Sequence, residues 1–463
     1  MFYFREHELK KLNNFMSSDN TKAMAIFGRR RTGKTQLIIE YLDMCRKLET
    51  ADKIIYFQAS SYDYSVCLSD FKATVIQSFP ELQIIDCFNS FKDIFSYISQ
   101  QKLPVKAVII DEFPFIAKKC EDVPVEFQWI IDHGLGSIKL VLLGSNRSFM
   151  KKQITDTESP LYGRFDEIME VLPFTFSEVF TLFPDFEDAV RVYATTGGVA
   201  QYVMLYKDFV SIDDAENELF FTKDGRLLQE SGNILAQEVR EVTTYTSILR
   251  AIGNSGKTSG QIAGKCNLDQ RAVYAYLTRL EDLGIISAIS NPLSLKNKEK
   301  RYIISDYLFR FNYTFIEANL SMINALGFKS KEYILDNKYS EYLGFVYEEI
   351  IRSNCFEYAC SNLIPFMPGT VGKWWGNICE NGVWSESEID LVAFNDSDIL
   401  IGECKYREKA VGLKELDSLI LKSQFIPCKD RKKHFLLASK SGFTDELKAR
   451  TDIILIDQSS IIS

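Results

Sequence analysis

Eight consecutive residues near the start of the chain have the spacing of a phosphate-binding loop, G-x-x-x-x-G-K-[ST]. They are Gly28, Arg29, Arg30, Arg31, Thr32, Gly33, Lys34 and Thr35. Two glycines let backbone N–H groups curl around phosphate oxygens, and the start of a following helix adds partial positive charge. We expect the Lys34 ammonium to reach the β- and γ-phosphates of a nucleotide and the Thr35 hydroxyl to bind Mg²⁺.

Two adjacent acidic residues, Asp111 and Glu112, follow an apolar run that begins at Val105. Ligands gather at the C-terminal ends of parallel strands, so these carboxylates are expected near the loop. Asp111 would hold Mg²⁺, directly or through water, and Glu112 would orient and deprotonate the attacking water. The alternative is a strand that merely ends in a solvated acidic turn. The phosphate-binding loop upstream favours the catalytic interpretation.

A third apolar run, Leu140–Gly144, ends at Ser145 and Asn146. A polar side chain there is suited to hydrogen-bond the γ-phosphate or the lytic water, and Asn146 is preferred over Ser145. Farther along, Arg164 is a candidate arginine finger or sensor, because a guanidinium is a rigid and always charged fork for phosphate oxygens. The alternative for Arg164 is an ordinary surface or interdomain arginine.

A second group of charged residues lies in the last 130 or so residues of the chain. Glu388 and Asp390 belong to the alternating run Val383–Phe394, and a polar turn separates this run from a strand with Glu403 and Lys405. On neighbouring strands, Asp390 and Glu403 could bind one or two Mg²⁺ ions. The ammonium of Lys405 could then steer or activate water near a scissile phosphate.

The elements that must position the first group of residues are visible in the apolar pattern. A β-like run at Ala23–Phe27 leads into the loop, and a helical pattern follows through Leu37–Leu42. Together with the strands that end at the polar sites, they predict an α/β fold with a parallel sheet. A short strand at Ile168–Leu172 and further helical patterning predict a helical lid over residues 166–240.

After Glu241 the pattern predicts three helices and a hairpin, which together make a winged helix. Thr258 and Asp269 are placed to cap the second and third helices. The runs Ile285–Ile289 and Arg301–Ile304 predict the two strands of the wing.

If this winged helix bound DNA, the start of its third helix and its wing would make the contacts. The residues expected there are Gln270, Arg271, Tyr274, Lys296, Lys298, Lys300 and Arg301. The alternative is a spacer between domains or a protein-binding module, which the acidic total charge favours.

Several segments of the first third together resemble the archaeal-type AAA+/STAND P-loop ATPases. They are Phe4–Glu6 with Glu8, Leu9 and Leu12, then Gly28–Thr35, Ile109–Glu112, Leu143–Asn146 and Pro160–Arg164. The resemblance implies a core sheet followed by a helical lid, with Arg5 and Glu6 opening the nucleotide pocket. It also favours ATP over GTP, since no guanine-reading Asn/Thr-Lys-x-Asp pattern is present. In the lid the sequence departs from the usual Gly-Gly-x-Pro, because it reads Gly197-Gly198-Val199-Ala200.

The last domain resembles the PD-(D/E)xK restriction-endonuclease-like family. The resemblance rests on Glu348 in a predicted helix at Tyr342–Ile351, on Asp390, and on Glu403-Cys404-Lys405. It implies an α/β nuclease-like domain in which Glu348, Asp390, Glu403 and Lys405 are catalytic. Asp390 and Glu403 would be the metal ligands.

Composition limits the classes of protein to which the chain can belong. Apolar residues make up 46% and charged residues 25%, which excludes wholesale disorder. No apolar run is long enough to span a bilayer, so we expect a cytoplasmic protein without a membrane partner. The 54 Lys and Arg against 63 Asp and Glu give a net charge of −9, so any contact with nucleic acid must be local. Ten cysteines and three histidines form no metal-binding pattern.

These observations predict four units: a P-loop ATPase core over 1–165, a helical lid over 166–240, a winged helix and linker over 241–332, and a nuclease-like domain over 333–463. The leading hypothesis is Mg²⁺-dependent ATP hydrolysis that controls the winged helix and a nuclease-like module acting on DNA. One alternative is an ATP-switched adaptor with little hydrolysis and a non-catalytic tail. Another is a nuclease that uses ATP as a structural cofactor.

The expected partners are DNA, through the winged helix and the last domain, and further copies of the chain in a nucleotide-dependent homo-oligomer. The sequence identifies neither a protein partner nor the nucleic-acid substrate.

Overall fold

The computed structural model describes residues 3–47, 54–60, 63–101, 105–254, 256–294, 300–380 and 382–462. The chain forms two compact units. Unit 1 comprises Met1–Phe174 and Val199–Gln201, and unit 2 comprises Thr175–Gly198 and Tyr202–Ser463.

Unit 1 is built on a five-stranded parallel sheet with the strand order β2-β3-β4-β1-β5. The strands are β1 (Ala23–Phe27), β2 (Ile54–Gln58), β3 (Ala107–Asp111), β4 (Lys139–Gly144) and β5 (Glu167–Glu170). The helices are α1 (Glu6–Ser17), α2 (Lys34–Lys47), α3 (Tyr64–Ser78), α4 (Phe91–Gln100), α5 (Phe113–Ala117), α6 (Asp122–Trp129) and α7 (Arg147–Thr155). A 3₁₀ segment covers Pro80–Cys87, and a π turn covers Ile130–Gly134.

Helices cover both faces of this sheet, so its central strands are buried along their whole length. Every residue of β1, β3 and β4 is buried. Alternate side chains enter two separate cores: Val108 and Ile110 pack in the core that α3, α4 and α6 help to form, while Ala107 and Ile109 pack with residues of α1 and α2. Such continuous apolar strands are typical of parallel sheets with helices on both faces. The predicted α/β parallel sheet is confirmed.

Unit 2 begins with helices. They are α8 (Phe176–Leu182), α9 (Phe186–Thr196), α10 (Ala200–Tyr206, whose first two residues belong to unit 1), α11 (Ile212–Phe220) and α12 (Glu230–Glu238). The next group contains three helices and a small antiparallel sheet in the order β6-β8-β7. Its elements are α13 (Val242–Ile252), β6 (Lys257–Thr258), α14 (Ser259–Cys266), α15 (Gln270–Asp282), β7 (Ile286–Ile289) and β8 (Arg301–Ile304).

The two predicted helix caps in this group are present. The Thr258 hydroxyl accepts a hydrogen bond from Gln261 N at 3.3 Å, and the Gln261 side-chain oxygen accepts one from Thr258 N at 3.0 Å. Asp269 accepts from Arg271 N at 2.8 Å at the start of α15. Because these caps satisfy N–H groups that have no partner within the helix, they fix where α14 and α15 begin.

The rest of unit 2 is a mixed α/β arrangement. Its helices are α16 (Tyr307–Phe311), α17 (Leu320–Leu326), α18 (Ser330–Ser353, with a break at Asp336), α19 (Cys355–Cys360), α20 (Leu413–Lys422), α21 (Asp445–Lys448) and α22 (Gln458–Ile462). Its strands are β9 (Thr370–Glu380), β10 (Val383–Phe394), β11 (Asp398–Lys405), β12 (Lys432–Ser439) and β13 (Ile453–Ile456). They form a sheet in the order β13-β12-β11-β10-β9, antiparallel from β9 to β11 and parallel from β11 to β13.

The predicted hairpin between β10 and β11 is confirmed, and the predicted helix at Tyr342–Ile351 is part of the longer α18. Over the described residues, we find no helix that combines the length and the apolar character needed to cross a bilayer.

A buried ion network joins three helices of unit 2. Glu216 on α11 is fully buried and accepts hydrogen bonds from Arg191 on α9 at 2.5 Å and from Tyr339 on α18 at 2.6 Å. Lys331 at the start of α18 approaches the same carboxylate to 3.0 Å. Removing one partner from such a network destabilises the fold, because it leaves a desolvated charge unpaired.

We therefore expect Glu216→Ala to lower the free energy of unfolding by about 3 to 5 kcal/mol. Urea unfolding followed by circular dichroism measures the change. Glu218→Ala, on the exposed face of the same helix, is the control and should change stability by less than about 0.5 kcal/mol. Equal stabilities of the two variants would contradict the assigned role of the network.

Candidate nucleotide site and candidate metal site

The loop Gly28–Thr35 joins the end of β1 to α2, which begins at Lys34. Its two glycines are needed for different reasons. A Cβ at Gly28 would lie 2.3 Å from the Val171 carbonyl oxygen, so no other residue fits there. Gly33 has a φ of 96°, which side chains with a Cβ rarely adopt. The loop therefore depends on both motif glycines.

Lys34 lies inside this loop. Its ammonium is buried and donates hydrogen bonds to the carbonyl oxygens of Gly28 at 3.0 Å and Arg29 at 2.7 Å. Burial lowers the pKa of Lys34 to about 8, although the carboxylates of Glu112 and Asp111 act in the opposite direction. A cation that is held on neutral carbonyl oxygens can exchange them for phosphate oxygens.

Asp111, at the end of β3, is fully buried and connects the loop to the sheet. Its Oδ2 accepts hydrogen bonds from the Thr35 hydroxyl at 2.7 Å and the Tyr56 hydroxyl at 3.0 Å, and its Oδ1 accepts from Glu112 N at 2.9 Å. Two predicted residues, Thr35 and Asp111, are thus brought together. Tyr56 was not predicted. Burial and the charge of Asp111 raise the pKa of Tyr56, so its hydroxyl keeps its proton.

Glu112 adopts a left-handed conformation, with φ 56° and ψ 44°. Such a conformation is costly for a residue other than glycine and is common at functional sites. Its Oε2 accepts hydrogen bonds from the hydroxyl of Ser145 at 2.8 Å and the backbone N of Ser145 at 3.2 Å. The turn therefore directs the predicted general base toward the end of β4.

Asn146, the preferred residue of the pair after β4, caps α7. Its Oδ1 accepts hydrogen bonds from Phe149 N at 3.0 Å and from the Ser148 hydroxyl at 3.1 Å. Ser145 contacts Glu112, and Asn146 orients the helix that follows. The predicted role of Asn146 at the phosphate stays a prediction.

Arg164 lies in an ion pair on unit 1. Its Nε lies 3.1 Å from both carboxylate oxygens of Asp132, and one of its terminal nitrogens donates to the Tyr162 carbonyl oxygen at 3.2 Å. Its predicted role as an arginine finger or sensor is not tested by this pairing.

Arg5, which precedes α1, contacts the loop, and its predicted role with Glu6 in opening the nucleotide pocket stays a prediction. The buried guanidinium donates to the carbonyl oxygens of Thr32 at 3.1 Å and Leu172 at 2.6 Å, and it lies 4.9 Å from the ring centre of Phe174. On another side of the loop, Gln201 N donates to the Arg31 carbonyl oxygen at 3.1 Å. The segment after Gly197-Gly198 therefore contacts the loop although it lacks the expected proline.

In unit 2, the predicted acids of β10 and β11 lie on neighbouring strands. Asp390 is buried, and its Oδ2 accepts a hydrogen bond from Cys404 N at 2.9 Å. Glu403 accepts from Lys405 at 2.7 Å and from Lys422, at the end of α20, at 3.2 Å. Burial, reinforced by the charge of Glu403, raises the pKa of Asp390.

Glu348 on α18 approaches the same group. It accepts a hydrogen bond from Lys373 on β9 at 3.3 Å, and Lys373 also pairs with Glu388 at 2.8 Å. Burial raises the pKa of Glu348, and the charge of Asp390 raises it further. The structure therefore brings the four predicted residues of the domain near one another, together with Lys373 and Lys422.

The donors of this second cluster fit a metal only in part. Asp390 and Glu403 supply the carboxylate oxygens that Mg²⁺ prefers. Across the residues that the structure describes, however, His, Cys, Asp and Glu side chains form no group of three or more arranged to hold a metal ion. Ammonium groups already pair with Glu348 and Glu403.

The hairpin β7–β8, predicted to be a wing, is joined to β9 and β10. Arg301 pairs with Glu386 at 2.7 Å and lies 4.8 Å from the ring centre of Trp375. The Asn291 side chain donates to the Trp375 carbonyl oxygen at 2.7 Å, and Leu293 is buried in the core of the last sheet. Arg301, expected on the DNA-contacting wing, thus forms an intramolecular ion pair.

Of the other residues expected at DNA, Lys296 and Lys298 lie outside the described residues, and Lys300 is exposed. Gln270, Arg271 and Tyr274 are exposed at the start of α15.

Two family models match parts of the chain, and one of them covers unit 1. Residues 2–205 match an ATPase domain found predominantly in Archaea, and residues 312–417 match a family described as "Archaea bacterial proteins of unknown function". Among solved structures, the chain is similar to the Walker-type ATPase paby2304 of Pyrococcus abyssi, with 20% identity and a TM-score of 0.48 over 67% of this chain and 96% of that one. It is also similar to the ORC2 protein of Aeropyrum pernix, with 14% identity and a TM-score of 0.43 over 70% and 95%.

A full-length relative is the uncharacterized protein MJECL04 of Methanocaldococcus jannaschii. The two sequences are 30% identical over 471 residues, which cover 99% of each chain. The chain therefore belongs to the same family as this Methanocaldococcus protein, and it carries the archaeal ATPase domain in residues 2–205.

Proposed function

We propose that unit 1 binds ATP together with Mg²⁺ and hydrolyses the γ-phosphate. The observation that carries this proposal is the 2.7 Å hydrogen bond between the Thr35 hydroxyl and Asp111, which joins the phosphate-binding loop to a buried carboxylate. A hydroxyl beside a carboxylate is the oxygen donor set that Mg²⁺ takes in P-loop enzymes. When bound, Mg²⁺ neutralises charge that develops on the β- and γ-phosphates.

Each residue of the site then has a distinct role. Lys34 binds the β- and γ-phosphates with its ammonium, helped by the start of α2. Glu112 accepts a proton from the attacking water, and the 2.8 Å hydrogen bond from the Ser145 hydroxyl fixes the direction of its carboxylate. Arg29, Arg30 and Arg31 add positive charge to the loop. Asn146 and Arg164 remain candidates for contacts to the γ-phosphate.

Two substitutions separate binding from hydrolysis. Lys34→Ala should abolish ATP binding, since the loop loses its buried cation. Glu112→Gln should bind ATP but lose about 10²- to 10⁴-fold in turnover, because the general base is gone. Binding is measured by isothermal titration calorimetry and turnover by phosphate release.

Lys47→Ala and Glu121→Gln are the matched controls, because both residues are exposed on unit 1. Wild-type turnover in Lys34→Ala would show that the loop is not the ATP site. Wild-type turnover in Glu112→Gln would instead favour an adaptor that binds ATP without this catalytic base.

We further propose that the last domain is a metal-dependent nuclease of the PD-(D/E)xK type, whose activity depends on the nucleotide state of the chain. The placement of Asp390 and Glu403 on adjacent strands, with Lys405 beside Glu403, supports it. Asp390 and Glu403 would hold the metal, Lys405 would orient water, and Glu348 would complete the acidic group. A non-catalytic tail is the second candidate, and the ammonium groups paired with Glu348 and Glu403 favour it.

Asp390→Asn should abolish cleavage of DNA in Mg²⁺ or Mn²⁺ and leave ATP hydrolysis unchanged, because it alters only the last domain. A gel assay of single- and double-stranded DNA, with and without ATP, measures cleavage. Asp396→Asn, in the exposed turn after β10, is the control. DNA that wild type leaves uncut under every condition would show that the tail is not a nuclease. Cleavage by wild type that survives Glu112→Gln would identify ATP as a structural cofactor only.

We also propose that residues 242–304 form a winged helix that contacts DNA through α15. Its hairpin is joined to β9 and β10, and the start of α15 exposes Gln270, Arg271 and Tyr274, which are suited to this contact. A surface this small predicts weak binding that depends on salt.

Arg271→Ala should weaken binding to a DNA duplex and reduce the slope of log affinity against log salt concentration by about 1, because one phosphate contact is lost. Fluorescence anisotropy at several salt concentrations measures this slope. Arg226→Ala removes an exposed charge elsewhere on unit 2 and should leave the slope unchanged. Equal slopes for wild type and Arg271→Ala would indicate that the winged helix contacts protein rather than DNA.

A further inference from the structure

Tyr56 lies on β2, the edge strand beside the strand that carries Asp111. In the register of the two strands, Tyr56 is opposite Ile109 and Gln58 is opposite Asp111. The phenol therefore extends diagonally by two residues, about 7 Å along the sheet, to reach the carboxylate. Its hydroxyl ends 3.0 Å from Asp111 Oδ2. Phenylalanine would fill the same space but could not donate this hydrogen bond.

Three donors fix the orientation of the Asp111 carboxylate. A carboxylate has about four positions for hydrogen-bond donors, and the Thr35 hydroxyl, the Tyr56 hydroxyl and Glu112 N occupy three of them. A threonine hydroxyl has one proton and two lone pairs, so Thr35 can donate to Asp111 and still ligate a metal with its oxygen. Tyr56 is thus the donor to Oδ2 that has no metal-binding role of its own.

The position of the Tyr56 ring is set by packing. Its side chain is half-buried against the core that contains Leu37, Ile38 and Tyr41 of α2. This core lies on the face of the sheet that carries the helix after the phosphate-binding loop. The hydroxyl is thereby held at the carboxylate by the same packing that holds α2.

We propose that Tyr56 is a positioning residue for the metal: it holds Asp111 in the orientation in which that carboxylate and Thr35 bind Mg²⁺ with the nucleotide. The proposal rests on the proposed ATP and Mg²⁺ function of unit 1. Groups that hydrogen-bond to a metal ligand commonly contribute 10- to 100-fold or so to metal affinity.

Tyr56→Phe, which removes one hydroxyl, tests the proposal. The readout is binding of mant-AMPPNP, a fluorescent and non-hydrolysable ATP analogue, at increasing Mg²⁺ and in EDTA. We expect the Mg²⁺ concentration at half-saturation to rise about 10- to 100-fold, with binding in EDTA unchanged. Thr35→Ala removes a proposed direct Mg²⁺ ligand, so its shift in the Mg²⁺ concentration at half-saturation serves as the reference for the shift in Tyr56→Phe.

Tyr64→Phe is a matched control, because it removes a comparable 2.9 Å hydrogen bond to Glu126 elsewhere in unit 1. It should leave the Mg²⁺ dependence unchanged. The proposal is overturned if Tyr56→Phe has the Mg²⁺ dependence of wild type, if Tyr64→Phe shifts it equally, or if binding in EDTA falls in parallel. If wild type itself binds the analogue equally in Mg²⁺ and in EDTA, the proposed metal function of the site is wrong as well.

Discussion

The candidate nucleotide site depends on one constraint, the order in which the parallel strands of unit 1 lie side by side. Because β4 lies between β3 and β1, the C-terminal ends of three strands that are far apart in sequence meet at one edge of the sheet. The loop after β1 supplies Thr35, and β3 supplies Asp111. Ser145, the residue after β4, donates a hydrogen bond to Glu112. The neighbouring strands β3 and β4 are about 4.8 Å apart, so the Glu112 side chain spans the gap to Ser145. Thr35 reaches Asp111 across the end of β4, because the loop after β1 carries it there. Arg5 and the Val171 backbone then hold the loop in place from outside this edge.

In unit 2, several cationic side chains that a polyanion would attract are already paired with carboxylates. Arg191 and Lys331 are used by Glu216, Arg310 by Glu349, and Arg301 by Glu386. This agrees with a chain whose acidic residues outnumber its basic ones, 63 to 54. The hairpin β7–β8 illustrates the consequence, since Arg301 pairs with Glu386 of β10 and Leu293, between the two strands, packs in the core of the last sheet. We therefore propose that contact with DNA involves the exposed start of α15, and a general electrostatic attraction to nucleic acid is not expected.

Much of the fold follows from patterns that are local in sequence. The phosphate-binding loop, the apolar strands before Asp111 and Ser145, and the caps Thr258 and Asp269 each depend on residues within a few positions of one another. Contacts made across the sheet or between distant helices were not predictable in this way. Tyr56 reaches Asp111 only because β2 pairs with β3, and Lys422 reaches Glu403 only through the position of α20. The choice between Ser145 and Asn146 likewise depends on the turn that makes Asn146 a helix cap.

The two acidic clusters differ in the charge of the groups that hold them, and this difference bears on metal binding. Asp111 accepts its hydrogen bonds from neutral donors, two hydroxyls and one backbone N–H, which orient the carboxylate without cancelling its charge. Glu403 and Glu348 accept theirs from the ammonium groups of Lys405, Lys422 and Lys373. A cation arriving at Asp111 therefore replaces no ion pair in these contacts, whereas one arriving between Asp390 and Glu403 must compete with charges that are already in place. Occupation of the second cluster would thus require its lysines to turn toward another anion, and the phosphate of a nucleic-acid strand is an anion that could accept them.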